Sequence, residues 1–344
     1  MNSADVPKRL PSHRKGLIAT SKRPAPGALA TPSLEPPRAS FGPDPAQQAL
    51  AAREPGSRMR ELLGQLPWTH LSRRRTAAGG SLLVDRAHRG GGEALSVLVG
   101  RHQAAVCGYL NTCLTDPAMV DWATEHTFRH VVRASGHHPS HAVPRIHLLD
   151  TARSVAAGAW RSHPESCAVT DGFREWIVES VGPWPPQGPA PLYEAYRCLP
   201  ARWQTALWHL AVEDDHPALI SDMLGLSPGR LALARQRAQH MLSDLYLTAY
   251  RRAVSGRPAC TSFVQHLAVY TTSRDIAATG HAEYCPSCSR AEADLTHLDI
   301  GVRLHLPALL LGWWDDTAYR QMRYLALRNS DPRGMARRLR RDLD

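Results

Sequence analysis

Long apolar segments are missing from this 344-residue sequence. No stretch approaches the roughly 20 consecutive apolar residues that a membrane-spanning helix needs. The N-terminus carries proline and basic residues without the apolar core of a secretory signal. These absences argue against a membrane association, and they favour a cytoplasmic protein without a membrane partner.

The patterns typical of common enzyme sites are missing as well. The sequence has no Gly-rich phosphate-binding loop, no pair of carboxylates in a site-like spacing, and no nucleophile beside an obvious base. We therefore expect a protein without enzymatic activity. Alternation of apolar and polar residues, which would indicate strands, is also absent over any useful length, so the predicted fold class is all-α.

Cysteines are few and mostly dispersed. Of the seven cysteines, only Cys285 and Cys288 lie close together in the sequence. This distribution does not fit a disulfide framework, but it is compatible with a metal site formed by reduced thiols.

Positive charge exceeds negative charge over the chain as a whole. Forty-one Lys and Arg residues stand against 31 Asp and Glu residues, which gives a formal net charge of +10 and favours a polyanionic partner. The first part of the chain is rich in proline and basic residues and contains almost no aromatic side chains. Such a composition cannot bury enough apolar surface to offset the entropy of ordering, so we predict a disordered basic tail over residues 1–79.

Helical periodicity begins near Gly92. Apolar residues then recur at spacings of three and four, as expected for one buried face of a helix, at Leu95, Leu98, Val99, Val106, Tyr109, Leu110 and Cys113. The pair Asp116-Pro117 should end this helix and start a second, and a third should run from Ile146 to about Trp160. Five prolines between residues 182 and 191 predict a linker, after which 192–212 should again be helical.

Residues 218–252 have the outline of a helix-turn-helix. A short helix ends at Gly225, which can adopt the left-handed conformation, and a longer helix begins with Ser227 as cap and Pro228 in its first turn. The polar side of the second helix could enter a major groove. The candidate DNA-contacting residues of this motif are Ser227, Arg230, Gln236, Arg237 and His240.

The segment His281–Cys288 contains three zinc-type ligands within eight residues. Two thiolates separated by two residues can bind one ion, and His281 lies one helical turn before Cys285. A closed structural site needs a fourth ligand, for which Cys260 is the first candidate and His266 and His297 are the weaker ones. Zinc is therefore the predicted cofactor.

The order of these motifs resembles that of the extracytoplasmic function (ECF) sigma factors, in particular members with a fused zinc-containing anti-sigma-like domain. The segments similar to sigma region two are Gly100–Val106, Asp116-Pro117, Glu125–Phe128 and Pro144–Arg153. Those similar to region four are Tyr193–Trp203 and Leu224–Pro228. The motif His281-x3-Cys285-x2-Cys288 is similar to the zinc anti-sigma motif.

This resemblance implies a promoter-specific initiation factor whose partners are core RNA polymerase and promoter DNA, and an additional anti-sigma protein is a further candidate partner. It implies that Arg145 and Arg153 contact DNA in region two. The implied domains are a region-two helical domain (80–170), a region-four helix-turn-helix domain (192–255) and a zinc domain (256–312), and a linker (171–191) separates the first two. The arginines near the end of the chain independently predict a solvated basic C-terminal tail (313–344).

Two other functions remain open at this point. The chain could be a degenerate sigma-like protein that sequesters a partner or senses oxidation through its zinc, because thiolates release the metal when they are oxidised. It could also be a DNA-binding repressor that acts without polymerase.

Overall fold

The fold of the described residues is entirely helical. The computed structural model describes residues 80–134, 143–165, 167–180, 190–270 and 280–343. The predicted tail 1–79, positions 181–189 of the predicted linker and the side chain of His266 lie outside them. Within the described ranges no strand is formed, and Leu114 and Val169 make an isolated antiparallel bridge. The all-α prediction is therefore confirmed.

Helices are numbered here in chain order. They are α1 (Gly80–His88), α2 (Gly92–Cys113), α3 (Pro117–Arg133), α4 (Pro144–Ser162), α5 (Asp171–Glu179), α6 (Pro191–Cys198), α7 (Ala201–Leu207), α8 (Pro217–Leu224), α9 (Pro228–Ala253), α10 (Pro258–Tyr270), α11 (His281–Tyr284), α12 (Pro286–Thr296), α13 (Leu298–Leu304), α14 (Leu306–Leu311), α15 (Asp316–Asn329) and α16 (Pro332–Leu343).

Helix α2 lies at the centre of the fold and is contacted by α1, α3, α4, α15 and α16. All seven apolar positions that predicted its buried face are buried. Gly108 explains how closely α15 approaches, because a Cβ atom there would lie 2.6 Å from the backbone nitrogen of Arg323. Close packing against α15, and not an unusual backbone conformation, therefore requires a glycine at this helix crossing.

The predicted break after α2 is confirmed. Asp116 caps α3 by accepting a hydrogen bond from the Ala118 N–H at 3.1 Å, and Pro117 occupies the first turn, where no N–H partner is needed.

The prediction of one continuous helix over 192–212 was wrong. Helix α6 ends at Cys198, α7 begins at Ala201, and 208–212 winds as a π-helical turn. Pro200 explains the break, because proline has no N–H to donate and disfavours helical geometry in the preceding residue.

The C-terminal segment differs from the predicted basic tail. Helices α15 and α16 pack against α2, and they bury Tyr319, Arg323 and Leu339. The predicted linker also begins too early, because its residues 171–179 form α5 with Phe173 and Ile177 buried. In both segments the apolar residues are too sparse to stand out in the sequence, yet they are sufficient to anchor short helices on an existing core.

The three predicted domains share one hydrophobic core. Buried residues from α1 to α16 form a continuous cluster, while Leu219, Ile220, Met223 and Leu231 of α8 and α9 form a small separate one. Across the described ranges no helix has both the length and the apolar character needed to cross a bilayer.

A buried cluster of charged residues joins distant parts of the chain. Glu213 forms ion pairs with Arg145 of α4, at 2.9 Å, and with Arg323 of α15. Arg323 also pairs with Asp215, which in turn lies 2.6 Å from Nδ1 of His209. The five side chains are at most 3% exposed.

Further hydrogen bonds complete this cluster. Tyr319 donates its hydroxyl to Glu213 and Trp208 donates its indole N–H, at 2.8 and 3.0 Å, respectively. Arg145 donates to Nδ1 of His102 at 2.9 Å. Burial by itself would raise the pKa of Glu213, but the guanidinium groups of Arg145 and Arg323 outweigh it and hold the pKa below its ordinary value. Burial also opposes ionisation of Asp215, but Arg323 and His209 hold its pKa below the ordinary value. Both carboxylates therefore stay ionised inside the protein.

We expect Arg323→Met to lower the free energy of unfolding by about 3 to 5 kcal/mol, because it leaves the buried carboxylate of Asp215 without its guanidinium partner and leaves Glu213 with Arg145 alone. Urea unfolding followed by circular dichroism measures this. Arg174→Met is the matched control, since Arg174 is half-exposed and pairs with an exposed Asp171, and it should cost less than about 1 kcal/mol. Equal losses in the two variants would contradict the assigned role of the cluster.

Candidate metal centre and DNA-recognition helix

Four side chains that could hold a metal ion meet at the junction of α10, α11 and α12. Cys260 lies on α10, His281 begins α11, Cys285 separates α11 from α12, and Cys288 lies in the first turn of α12. One potential ligand atom from each of these residues lies within 4.8 Å of those of the other three. The predicted fourth ligand, Cys260, is therefore part of the group, whereas His297 at the end of α12 is not.

The dimensions of this group fit a tetrahedral metal ion. The sulfur atoms of Cys260 and Cys285 are 3.8 Å apart, and two Zn–S bonds of about 2.3 Å at a tetrahedral angle require about 3.8 Å. The cysteines are free thiols, so no disulfide competes for them. His281 Nε2 is buried and has no hydrogen-bond partner within the described residues. A ring nitrogen in this situation is suited to bind a cation.

Local backbone structure brings Cys285 and Cys288 together. Cys285 ends α11 by donating its N–H to the His281 carbonyl at 3.0 Å, and it is also the N-cap residue of α12. Pro286 fits the first turn of α12. The backbone N–H of Cys288 points toward the Cys285 thiol and lowers its pKa, as a helix N-terminus does for an anion.

Cys288 is the least accessible sulfur of the group. It is fully buried, and burial raises the pKa of its thiol to about 12. A bound cation removes that penalty, because coordination deprotonates a thiol. With three sulfur ligands and one nitrogen the group is complete at four, which is typical of a structural rather than a catalytic site.

Helix α9 supplies a hydrogen bond to this centre that the sequence did not reveal. The Tyr250 hydroxyl donates to Cys288 Sγ at 3.2 Å, and one turn earlier the Tyr246 hydroxyl donates to Asp294 of α12 at 2.7 Å. The four-residue spacing of the two tyrosines was the only available signal, and it is equally typical of any buried helix face.

Two helices joined by a short turn, α8 and α9, occupy the segment in which the helix-turn-helix was predicted. Gly225 adopts a left-handed conformation with φ of 62°, and the Leu226 N–H donates to the Ser221 carbonyl at 2.9 Å, which closes α8. Ser227 occupies the N-cap position of α9, but its hydroxyl caps no backbone N–H. The proline and the backbone geometry therefore start α9 without the expected side-chain cap.

The candidate DNA-contacting residues divide into two groups. The five from the helix-turn-helix, Ser227, Arg230, Gln236, Arg237 and His240, are all exposed. The two from the region-two segment are engaged inside the protein and do not face solvent as a DNA contact would require.

Arg145 and Arg153 are held by intramolecular contacts. Arg145 is 1% exposed and pairs with Glu213. Arg153 pairs with Asp150 at 2.7 Å and donates to the Leu311 carbonyl at 2.6 Å. The expectation from the region-two resemblance that these arginines contact DNA is corrected for the conformation described here, because both side chains are engaged by contacts within the protein.

Comparison with known proteins adds no relative. No family model, curated protein or solved structure matches this chain.

We expect the purified protein to retain one zinc ion per chain after dialysis, and Cys288→Ser to abolish retention because it removes the buried ligand. Cys198→Ser is the control, since Cys198 is an exposed thiol outside the group. Atomic emission spectroscopy gives the zinc content. Full zinc retention in Cys288→Ser, or equal loss in the control, would contradict the assigned site.

Tyr250→Phe should weaken zinc binding by about 10- to 100-fold, because partners that hydrogen-bond to a ligand orient it and tune its affinity. Competition with a chromogenic chelator measures the affinity. Tyr284→Phe provides the comparison, since Tyr284 is next to Cys285 in sequence but 84% exposed, and its affinity should not change. An unchanged affinity in Tyr250→Phe would show that the hydroxyl is dispensable.

Proposed function

We propose that this chain is a zinc-containing, sequence-specific DNA-binding factor of the sigma type, which directs core RNA polymerase to promoters. The observation that carries the proposal is the exposed polar face of α9 in a helix-turn-helix. Arg230, Gln236, Arg237 and His240 all face solvent along this helix, while its opposite side is anchored by Leu231, Ala234, Ala238 and Leu242.

The chemistry of the α9 face suits a major groove. An arginine can form two hydrogen bonds with guanine and a glutamine can do the same with adenine, whereas Ser227 at the helix N-terminus is suited to a phosphate. A separate small apolar cluster holds α8 against the start of α9, so packing against α8 stabilises the N-terminal part of the proposed recognition helix. These features favour base recognition over a purely structural helical hairpin.

Zinc is the proposed occupant of the four-ligand group. Its preference for thiolate and imidazole ligands in tetrahedral geometry matches the residues at hand. When bound, it would lock α10, α11 and α12 together and, through Tyr250, fix the C-terminal half of α9. The proposed role of zinc is therefore to hold the recognition helix in place, and Cys260, His281, Cys285 and Cys288 are its ligands.

The resemblance to region two assigns polymerase binding to the segment that contains α2, α3 and α4. One side of α3 is covered by α16, through an ion pair of 3.2 Å between Arg338 and Glu125 and a second pair between Asp342 and Arg129. We propose that α16 competes with polymerase for this surface. The conformation described here is then a resting form, and initiation needs α16 to move away.

The second candidate function is sequestration without initiation. The burial of Arg145 against Glu213 favours it, because a sigma factor that used Arg145 on DNA would have to break a fully buried ion pair. In that case the chain would bind polymerase or another partner and withhold it, and the exposed α9 face would be vestigial.

Arg237→Ala should weaken the free energy of promoter binding by about 1 to 3 kcal/mol if this side chain hydrogen-bonds to a base. The measurement is promoter-specific transcription in vitro with core RNA polymerase and a library of promoter sequences. Arg251→Ala is the matched control, since Arg251 is an exposed arginine of the same helix about 21 Å further along, and its activity should be unchanged.

The same assay separates the candidate functions. Specific initiation by the wild-type protein that is weakened only in Arg237→Ala supports a sigma factor. Binding to core polymerase without initiation from any promoter supports sequestration. Tight operator binding in the absence of polymerase would instead indicate a repressor.

A further inference from the structure

Helix α16 is strongly amphipathic, and its two sides have different chemistry. One side, formed by Gly334, Met335, Ala336 and Leu339, is buried against α2 and α3. The other side carries five arginines within nine residues. Since the apolar side is already used for packing, the function of the arginine side is a separate question.

Two of these arginines have intramolecular contacts. Arg338 pairs with Glu125, and Arg340 lies against Gly92 at the start of α2. The other three, Arg333, Arg337 and Arg341, are exposed and have no acidic partner among the described residues. They recur every fourth residue, so they form a line on one side of the helix with a rise of about 6 Å between neighbours. We refer to these three residues as the arginine ridge.

The acidic residues of this segment that the structure describes, Asp331 and Asp342, are already engaged. Asp331 accepts a hydrogen bond from the Gly334 N–H at 2.9 Å and caps the helix, and Asp342 pairs with Arg129 of α3. Within the described part of the chain, the ridge therefore keeps three positive charges without an acidic partner. Like charges on successive turns destabilise a helix, so nothing in the fold of α16 itself calls for this arrangement.

We propose that the arginine ridge binds the phosphate backbone of duplex DNA, independently of sequence and away from the recognition face of α9. Guanidinium groups bind phosphates through paired hydrogen bonds. The choice of duplex DNA rests on the proposed DNA-binding function. An anionic membrane is disfavoured because a helix that lies on a bilayer needs a free apolar face, and that of α16 is buried in the protein.

The test measures how salt affects the binding of full-length protein to a short duplex of arbitrary sequence, by fluorescence anisotropy without polymerase. Each neutralised phosphate contributes about 0.9 to the slope of log K against log salt concentration, so removing three contacts should reduce the slope by about 2.7. The ridge variant is R333Q/R337Q/R341Q. The control R161Q/R290Q/R303Q loses the same charge from exposed arginines on α4, α12 and α13 and should keep the wild-type slope.

A lysine triple at the ridge, R333K/R337K/R341K, should restore most of the slope, because phosphate neutralisation needs the charge. An unchanged slope in the glutamine variant would overturn the proposal, and so would an equal decrease in the control. A third outcome is that the wild-type protein binds vesicles of anionic phospholipid, the ridge variant does not, and the duplex slope is unchanged. That outcome would overturn the proposal in favour of a membrane. Neither outcome of the transcription assay with Arg237→Ala affects this measurement, so failure of either proposal can be recognised separately.

Discussion

The arrangement of this protein depends on the burial of two carboxylates, those of Glu213 and Asp215, without access to water. Each would be costly inside a protein if it were unpaired. Arg323 forms ion pairs with both carboxylates, and Arg145 forms one with Glu213. Because these arginines come from α15 and α4, the charges can be satisfied only when the N-terminal helices, the loop after the π-helical turn and the C-terminal helices are together.

Sequence patterns predicted the parts of the molecule where local chemistry decides the outcome. The buried face of α2, the Asp116-Pro117 helix start and the Gly225 turn follow from periodicity and from the conformations these residues favour. Cys260 was named as the fourth ligand because it is the nearest additional cysteine, and it lies in the group. Tyr250 and Arg323 could not be found in this way, since their roles come from contacts across 38 and more than 100 residues.

Charge was the least reliable guide in the sequence. The resemblance to region two made Arg145 and Arg153 candidate DNA contacts, but both are paired with carboxylates within the fold. The C-terminal arginines looked like a solvated tail, but Met335 and Leu339 turn that segment into a packed helix with an exposed basic side. A positive side chain shows its role only when the positions of its acidic neighbours are known.

The separation between Asp215 and Arg323 has a consequence for synthesis on the ribosome. Arg323 follows its partner by 108 positions, which at 5 to 20 residues per second corresponds to a delay of about 5 to 20 s. During this interval Glu213 and Asp215 have been synthesised, but Arg323, which pairs with both, has not. The buried ion-pair cluster can therefore be completed only late in translation, after α15 has been synthesised.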